Sequence, residues 1–168
     1  MGSNPSNFKG DNLPVECVSW NDCQTFISKL NAATGKRFRL PTEAEWEFAA
    51  RGGKKSKGYK YSGSNNLNKV AWYDDNSNSK THTVGTKIPN ELGIYDMSGN
   101  VWEWCSDLYD NYSSSWQTNP TGLSSGSGRV RRGGSWYGVA SLCRSSRRAS
   151  RDPGSRSIDL GLRLVLSE

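Results

Sequence analysis

Two carboxylates on either side of a glycine-containing turn are the side chains of this chain best suited to hold an ion. Asp96 and Glu103 enclose the segment DMSGNVWE, in which Gly99 permits a tight turn. Calcium binds carboxylate and backbone carbonyl oxygens in flexible geometry. Asp96, the carbonyls of Gly99 and Val101, and Glu103 could therefore surround one calcium ion. The alternative is that both carboxylates bond to neighbouring N–H groups and arginines. The spacing is not that of an EF-hand.

Other catalytic chemistry has little support in the residue types. His82 is the only histidine, so a Ser-His-Asp triad or a histidine metal site would depend on it alone. It lies between threonines, and we expect an exposed loop residue. None of the four cysteines forms a CxxC pair, which argues against zinc-ribbon and thioredoxin sites, and the sequence does not pair them; they are Cys17, Cys23, Cys105 and Cys143.

The periodicity predicts two early helices and few regular elements after them. Alternation over 13–18 predicts a strand, followed by a helix capped by Ser19 or Asn21 and extending to about Leu30. Pro41 is expected to begin a second helix, with Thr42 and Glu45 as its capping box and Gly52-Gly53 as its end. From 53 onwards, short apolar pieces alternate with Gly, Asn, Asp and Ser clusters.

Composition and charge favour one loop-rich domain stabilised by aromatic side chains. The 168 residues include seven Trp, seven Tyr, four Phe and 18 Gly. Of the net charge of +6, much lies between 129 and 163, where nine arginines accompany two aspartates. They could form a basic patch, but no nucleic-acid motif is present, so we expect several to be paired structural residues. No apolar run is long enough to span a membrane.

Four segments in order resemble the formylglycine-generating, or sulfatase-modifying factor, family. They are LPVE at 13–16 with VSW at 18–20, RLPTEAEWE at 39–47, NELGIYDMSGNVWEW at 90–104, and RGGSW at 132–136 with GLRL at 161–164. The resemblance covers essentially the whole chain as one domain, 1–168, without the family's usual first segment, which favours a piece of a longer protein. It implies an α+β, C-type-lectin-like fold with short antiparallel strands.

The resemblance also bears on chemistry. One calcium site of the family's enzymes falls on Asp96, Gly99, Val101 and Glu103, the four positions reached above by spacing. The family's oxidase activity needs two cysteines five apart that bind copper, and these positions are occupied here by Gly138 and Cys143. One thiol cannot form the two-coordinate site that Cu(I) favours. We therefore expect neither copper nor formylglycine-generating activity, with structural Ca²⁺ as the candidate cofactor.

The C-terminal segment 133–165 resembles that of variable proteins of diversity-generating retroelements. In these proteins a fixed frame alternates with codons that are mutagenised at adenines. The frame would comprise Gly133, Gly134, Ser135, Trp136, Cys143, Arg144, Arg148, Pro153, Arg156, Gly161 and Arg163. The thirteen display positions would be Tyr137, Gly138, Val139, Leu142, Arg147, Ala149, Ser150, Arg151, Asp152, Ser155, Ser157, Ile158 and Asp159.

The residue types at the display positions fit this interpretation. Mutation of the adenines in the codon AAC cannot produce Lys, Glu, Gln, Met or Trp, and none of the five occurs at the thirteen positions. The types follow no amphipathic period either. The alternative is an ordinary Arg/Ser-rich loop. A rigid scaffold with adaptable loops is a common arrangement for binding diverse ligands.

Three functions remain open. The first is a non-catalytic bacterial or phage protein that binds a protein or glycan ligand through segment 133–165, with no nucleic-acid partner. The second is an oxidase or related enzyme of the sulfatase-modifying class. The third is a structural or assembly domain whose C-terminal surface is an oligomer interface. If the first function is correct, we expect this domain to be part of a longer protein at a cell surface or on a phage virion.

Overall fold

The computed structural model describes residues 3–112, 115–122 and 125–167. Its helices are α1 (Trp20–Thr34), α2 (Glu43–Ala50) and the single turn α3 (Leu67–Val70). The strands are β1 (Arg37–Arg39), β2 (Trp102–Leu108), β3 (Arg129–Arg132), β4 (Arg148–Arg151), β5 (Leu160–Leu162) and β6 (Val165–Ser167). Two early helices followed by short strands and long irregular connections confirm the predicted α+β class.

Both early helices begin with a complete capping box. In α1 the Ser19 hydroxyl accepts from the N–H of Asp22, whose carboxylate accepts from the Ser19 N–H in return. In α2 Thr42 and Glu45 make the same exchange, as the sequence predicts. Because Thr42 is the extended N-cap, Pro41 lies before the helix, and its predicted place at the first helical position is wrong.

Two boundaries expected from the sequence also differ. Helix α1 continues four residues beyond Leu30, to Thr34, and ends at Gly35, which adopts the left-handed conformation with φ of 68°. The strand predicted over 13–18 is absent. Only Glu16 forms an isolated bridge, with Gly161, and Cys17 has a positive φ of 58°, which interrupts extended pairing.

The central sheet has the strand order β4-β3-β2-β5, and β1 pairs separately with β6. Its pairs are antiparallel except for β2 with β5, which run parallel, unlike the antiparallel pairing expected. Strand β3 aligns Val130 with Ser150 and Arg131 with Ala149 on β4. Because side chains alternate across a sheet, Arg131 and Ala149 face one side, and Val130 and Ser150 face the other.

Apolar clusters cover both faces of this sheet. Helix α1 contributes Cys23 and Ile27 to a cluster with Trp102, Trp104 and Leu160. On the opposite face α2 contributes Trp46 and Ala50 to a cluster with Met97, Cys105 and Val130. The two helices therefore fix the sheet from both sides. Within the described ranges, no helix has the length and apolar character needed to cross a membrane.

Hydrogen bonds from indole N–H groups to backbone carbonyls stabilise the irregular backbone. Trp104, fully buried, donates to the Val18 carbonyl at 3.0 Å, and Trp20 donates to the Cys105 carbonyl at 3.0 Å. Trp136 donates to the Ile158 carbonyl at 3.1 Å. Each bond links segments far apart in the sequence, so aromatic side chains stabilise long loops, as the composition predicts.

Candidate ligand-binding site

The Gly133–Trp136 segment forms a rigid base for the C-terminal region. Gly133 and Gly134 have positive φ of 99° and 76°, and a Cβ on Gly134 would lie 2.7 Å from the Cys143 Sγ. The Trp136 N–H donates to the Asn100 carbonyl, and the Trp136 carbonyl accepts from the Ser77 hydroxyl, both at 2.8 Å. The backbone entering the display positions is therefore held from both sides.

Three arginines of the predicted frame pair with carboxylates on other elements. Arg148 makes two 2.6 Å hydrogen bonds to Glu43, and Arg163 reaches Glu103 at 2.7 Å. Arg156 makes two bonds to Asp22, at 2.7 and 2.8 Å, and joins the start of α1 to the loop before β5. These pairs confirm that several of the clustered arginines are structural. Arg144 is exposed and has no ion pair in the described part of the chain.

Sequence reasoning missed the most deeply buried pair. Arg132, whose side chain is 0% exposed, contacts Glu43 at 3.1 Å and also pairs with Glu47. The sequence offered only a helix-dipole role for these glutamates, but Glu43 is 7% exposed and connects α2 to both β3 and β4. A buried glutamate two residues from an exposed one in a helix start has no distinguishing sequence pattern.

Most predicted display positions line one cavity of about 800 Å³, hereafter the display cavity. Its walls include ten of the thirteen: Tyr137, Gly138, Val139, Leu142, Arg147, Ala149, Arg151, Ser157, Ile158 and Asp159. The remaining lining residues are Trp102, Arg131, Ser135 and Trp136. Tyr137 is 73% exposed and Val139 53%, so large side chains remain open to solvent at the rim.

Three display positions lie outside this cavity. Ser150 occupies the other face of β4 from Ala149 and Arg151, next to Gly128. The Asp152 carboxylate accepts from the Gly154 N–H at 2.8 Å, and its carbonyl accepts from the Ser155 N–H, which makes a local turn. Grouping Ser150 with Ala149 and Arg151 from the sequence alone overlooked the alternation within β4.

Trp102 and Arg131 belong to the cavity but not to the predicted site. The Arg131 guanidinium lies 4.6 Å from the centre of a Trp102 ring, a cation–π distance. Alternation in the segment RVRR already separates Arg129 and Arg131 from Val130 and Arg132. The sequence does not predict the pairing of β3 with β4, which brings Arg131 beside Ala149.

Three arginines and one aspartate give the cavity its charge. Asp159 accepts hydrogen bonds from the hydroxyls of Ser135 and Ser157. Arg131, Arg147 and Arg151 have no carboxylate within ion-pair distance among the described residues. Burial is the main cause of a lowered pKa for Arg131, which Asp159 partly opposes. The cavity therefore has an excess of positive charge and an apolar rim.

Gly138 and Cys143, the positions at which the resemblance places the family's two oxidase cysteines, hold one thiol between them. Gly138 carries no side chain, and Cys143 is 0% exposed within a cluster that includes Tyr61, Val70 and Tyr73. Burial raises the pKa of the Cys143 thiol to about 12. Since the thiolate is the metal ligand and nucleophile, a buried neutral thiol is poorly suited to either role.

His82 differs from the exposed loop residue expected. Its ring stacks on Trp72 with centroids 3.8 Å apart, and its Nε2 lies 2.7 Å from the Ser77 carbonyl. The Asn100 side chain exchanges two hydrogen bonds with the His82 backbone. His82 thus connects the 70s loop to the segment before β2.

The predicted calcium ligands Asp96, Val101 and Glu103 line a second cavity, of about 540 Å³. One Asp96 oxygen accepts from the Gly85 N–H at 2.7 Å, and the other is buried without a partner in the described residues. Glu103 accepts from the Trp46 indole at 2.7 Å and from Arg163. Desolvation raises the pKa of Asp96. The free Asp96 oxygen fits a cation, whereas Arg163 already balances the charge of Glu103.

The fold and the display cavity define a C-type-lectin-like scaffold with a ligand-sized concavity formed mainly by its C-terminal segment. A family model described as the sulfatase-modifying factor enzyme 1-like domain matches residues 1–168. The chain belongs to this family, as its motifs indicate. The Paenibacillus barcinonensis protein named chaperone protein LppX is 34% identical over 100% of this chain and 75% of its own length.

The match to a catalytic relative covers a smaller share of that relative's own length. The formylglycine-generating enzyme of Streptomyces coelicolor is 37% identical over 90% of this chain and 52% of the enzyme. The chain thus spans about half the length of that enzyme.

Solved structures of similar fold include two variable proteins of diversity-generating retroelements. Treponema denticola variable protein 1 superposes with a TM-score of 0.91 and 38% identity, covering 98% of this chain and 77% of that one. The Major Tropism Determinant U1 variant has a TM-score of 0.50 and 16% identity over 86% of this chain and 36% of its own, which shows a shared fold. Variable proteins thus use the scaffold found here.

Proposed function

We propose that this chain is a non-catalytic ligand-binding protein of the variable-protein type, with the display cavity as its binding surface. The observation that carries the proposal is the convergence of ten display positions, chosen from sequence, on one cavity. The similarity to Treponema denticola variable protein 1 also supports it.

The cavity has the size and chemistry of a ligand site. Pockets of 300–1,000 Å³ with apolar walls and a few polar groups are typical of ligand binding. Tyr137, Val139 and Ile158 are exposed at its rim, where an amphipathic partner surface would bury them. The frame beneath them is fixed by ion pairs and indole bonds, so changes at the rim leave the backbone in place.

Two matched libraries test this separation of frame and surface. One carries the degenerate codon NNC at the ten cavity positions. The other carries it at ten frame positions: Gly133, Gly134, Ser135, Trp136, Cys143, Arg148, Pro153, Arg156, Gly161 and Arg163. Both are displayed on phage and selected for protease resistance, then for binding to a panel of purified proteins.

We expect a large fraction of the cavity library to stay folded and to yield binders. Within it, large side chains at Gly138 and substitutions of Asp159 should be depleted, because Gly138 is buried and Asp159 bonds two serines. The frame library should lose protease resistance almost completely. Equal losses in the two libraries would contradict the proposal, as would a folded cavity library without binders.

The family's enzymes motivate an oxidase as the second candidate. It is tested by supplying Cu(I), oxygen and a cysteine-containing sulfatase peptide, with the Streptomyces coelicolor enzyme as positive control. We expect no copper-dependent oxygen consumption, because Gly138 offers no thiol and the pKa of the Cys143 thiol is raised to about 12 by burial. Turnover above the protein-free rate would overturn the non-catalytic assignment.

We further propose that Asp96 and the carbonyls of Gly99 and Val101 take a structural Ca²⁺, with Glu103, which also pairs with Arg163, as the fourth ligand that the resemblance implies. The support is the buried unpartnered oxygen of Asp96, a hard ligand of the kind calcium prefers. Calcium should raise the Tm of the wild-type protein, and magnesium at equal ionic strength should not. In Asp96→Asn the calcium effect should disappear; an unchanged Tm in the wild type, or an equal rise in Asp96→Asn, argues against the site.

A further inference from the structure

The display cavity contains a cation at a position outside the thirteen display positions. Arg131 belongs to β3, and its neighbours Val130 and Arg132 are fully buried on the other face. Its guanidinium rests against Trp102 at 4.6 Å, and its Nε is buried without a hydrogen-bond acceptor in the described part of the chain. Arg131 also lines the display cavity, so a carboxylate that entered the cavity could pair with the guanidinium.

Arg131 differs from the paired arginines around it. Arg132, Arg148, Arg156 and Arg163 each lie within about 3.1 Å of a carboxylate. In the display cavity the sole lining carboxylate, Asp159, already accepts from two hydroxyls. The cavity thus concentrates arginines for which the described residues provide no counterion.

Two further arginines extend this charge toward the rim. Arg147 and Arg151 line the same cavity, so three arginines face one aspartate. A cleft with walls of one charge attracts ligands of the opposite charge. The guanidinium group binds planar anions in a bidentate manner, and a carboxylate fits this geometry.

The apolar rim narrows the class of ligand. Tyr137, Val139 and Ile158 are exposed beside the arginines, and the Trp136 ring lies deeper in the cavity. A polyanion such as a sulfated polysaccharide would leave these side chains without apolar partners. A peptide segment that combines acidic and apolar residues matches both parts of the surface.

We propose that the display cavity binds an acidic peptide segment of a protein partner, one carboxylate of which is held by Arg131. This inference rests on the proposed function. Because Arg131 lies outside the display positions, the requirement for a carboxylate is shared by variants that differ at those positions. The display residues, including Arg147 and Arg151, then select among acidic segments.

A random dodecapeptide phage library provides the probe. It is panned on the wild-type protein, on Arg131→Gln and on Arg144→Gln, which removes an exposed arginine outside the cavity. A fourth target replaces Arg147 and Arg151 by serine, a residue that NNC encodes. Selected peptides are synthesised, and their Kd values are measured for each protein, alongside analogues with Gln and Asn in place of Glu and Asp.

We expect the wild-type protein to enrich acidic peptides with apolar neighbours. Their affinity should fall at least about tenfold with Arg131→Gln or with the amide analogues, and less than about threefold with Arg144→Gln. The double serine variant should select different peptides that remain acidic. Arg131→Lys, which keeps the charge without the planar guanidinium, should bind with intermediate affinity. If Arg131→Gln does not fold, the affinity of Arg131→Lys tests whether Arg131 holds the carboxylate.

Several results would overturn the inference. They are enrichment of neutral or basic peptides, affinity insensitive to Arg131, and absence of any enriched peptide. Arg131-dependent capture of a heparin oligosaccharide in place of peptides would assign the charge to a glycan ligand instead. None of these results affects the library experiment above, so failure of the acidic-peptide inference is distinguishable from failure of the proposed function.

Discussion

Replacement of Glu43 by glutamine should destabilise the protein far more than the same replacement of Glu45 two residues later. Glu43 is 7% exposed and accepts three hydrogen bonds, one from Arg132 and two from Arg148. The side chain of Arg132 is 0% exposed, so its charge cannot be solvated after the change. Glutamine preserves the shape of the side chain but removes the countercharge for two arginines.

The expected loss of stability in Glu43→Gln follows from the burial of its ion pairs. Breaking a buried pair by removal of one charge costs about 3–5 kcal/mol. Glu47 still pairs with Arg132, which favours the lower end of this range. For a chain of this length each kcal/mol lowers the Tm by about 2–4 °C, so we expect Glu43→Gln to lose about 6–15 °C.

Glu45→Gln is the matched control on the same helix. Glu45 pairs with Arg39, and the two side chains are 43% and 41% exposed. Ion pairs at such exposed positions contribute about 0–1 kcal/mol. Glutamine also preserves the capping box with Thr42. Calorimetry and urea unfolding of both variants measure the difference. Losses equal within about 1 kcal/mol would refute the assignment of Glu43 as the buried link between α2 and the strands of the display cavity.

Three other changes test the frame and its chemistry. Gly134→Ala should cost at least about 2 kcal/mol in urea unfolding, because it combines a φ of 76° with a 2.7 Å approach to Cys143. Gly138→Ala should cost less than about 1 kcal/mol, because its Cβ would lie 3.4 Å or more from Leu142 and from the Ser135 carbonyl oxygen, which is ordinary contact distance. Similar losses in the two variants would contradict the frame. Hydrogen bonding from Arg156 lowers the pKa of Asp22 to about 2, so the stability that this carboxylate adds is present above about pH 4 and lost as the pH falls toward 2. The difference between wild type and Asp22→Asn should close over that interval, and a constant difference argues against the pair. Iodoacetamide should leave Cys143 unmodified in the native protein at pH 8, since burial raises its pKa to about 12; rapid labelling would show an accessible thiol.

Local signals in the sequence account for much of the fold. The capping box of Thr42 and Glu45 is short-range chemistry, and so is the left-handed glycine that ends α1, although the sequence placed that end near Leu30. The strand expected over 13–18 is interrupted at Cys17, which has a positive φ and whose N–H donates to the Ser157 carbonyl 140 residues away. The alternation of residue types over 13–18 does not by itself predict such a long-range contact.

At the site, too, residues close together in the sequence were predicted, whereas contacts between distant segments were not. The resemblance to variable proteins, whose pattern of frame and display codons segment 133–165 shares, gave the display positions without any geometry, and ten of them line the cavity. The pattern did not identify Arg131, which approaches the display residues only because β3 pairs with β4. It also did not separate Ser150 from Ala149, because residues 148–151 were not predicted to form a strand.

Sequencing of the DNA that surrounds this gene, in many members of its source population, tests the diversified surface most directly. We predict a near-copy of the codons for 133–165 beside a reverse transcriptase gene, differing from the coding copy only at adenines. Differences among coding copies should fall at the thirteen display codons and never produce Lys, Glu, Gln, Met or Trp there. Variation spread evenly over frame and display codons, with no near-copy, would contradict the account.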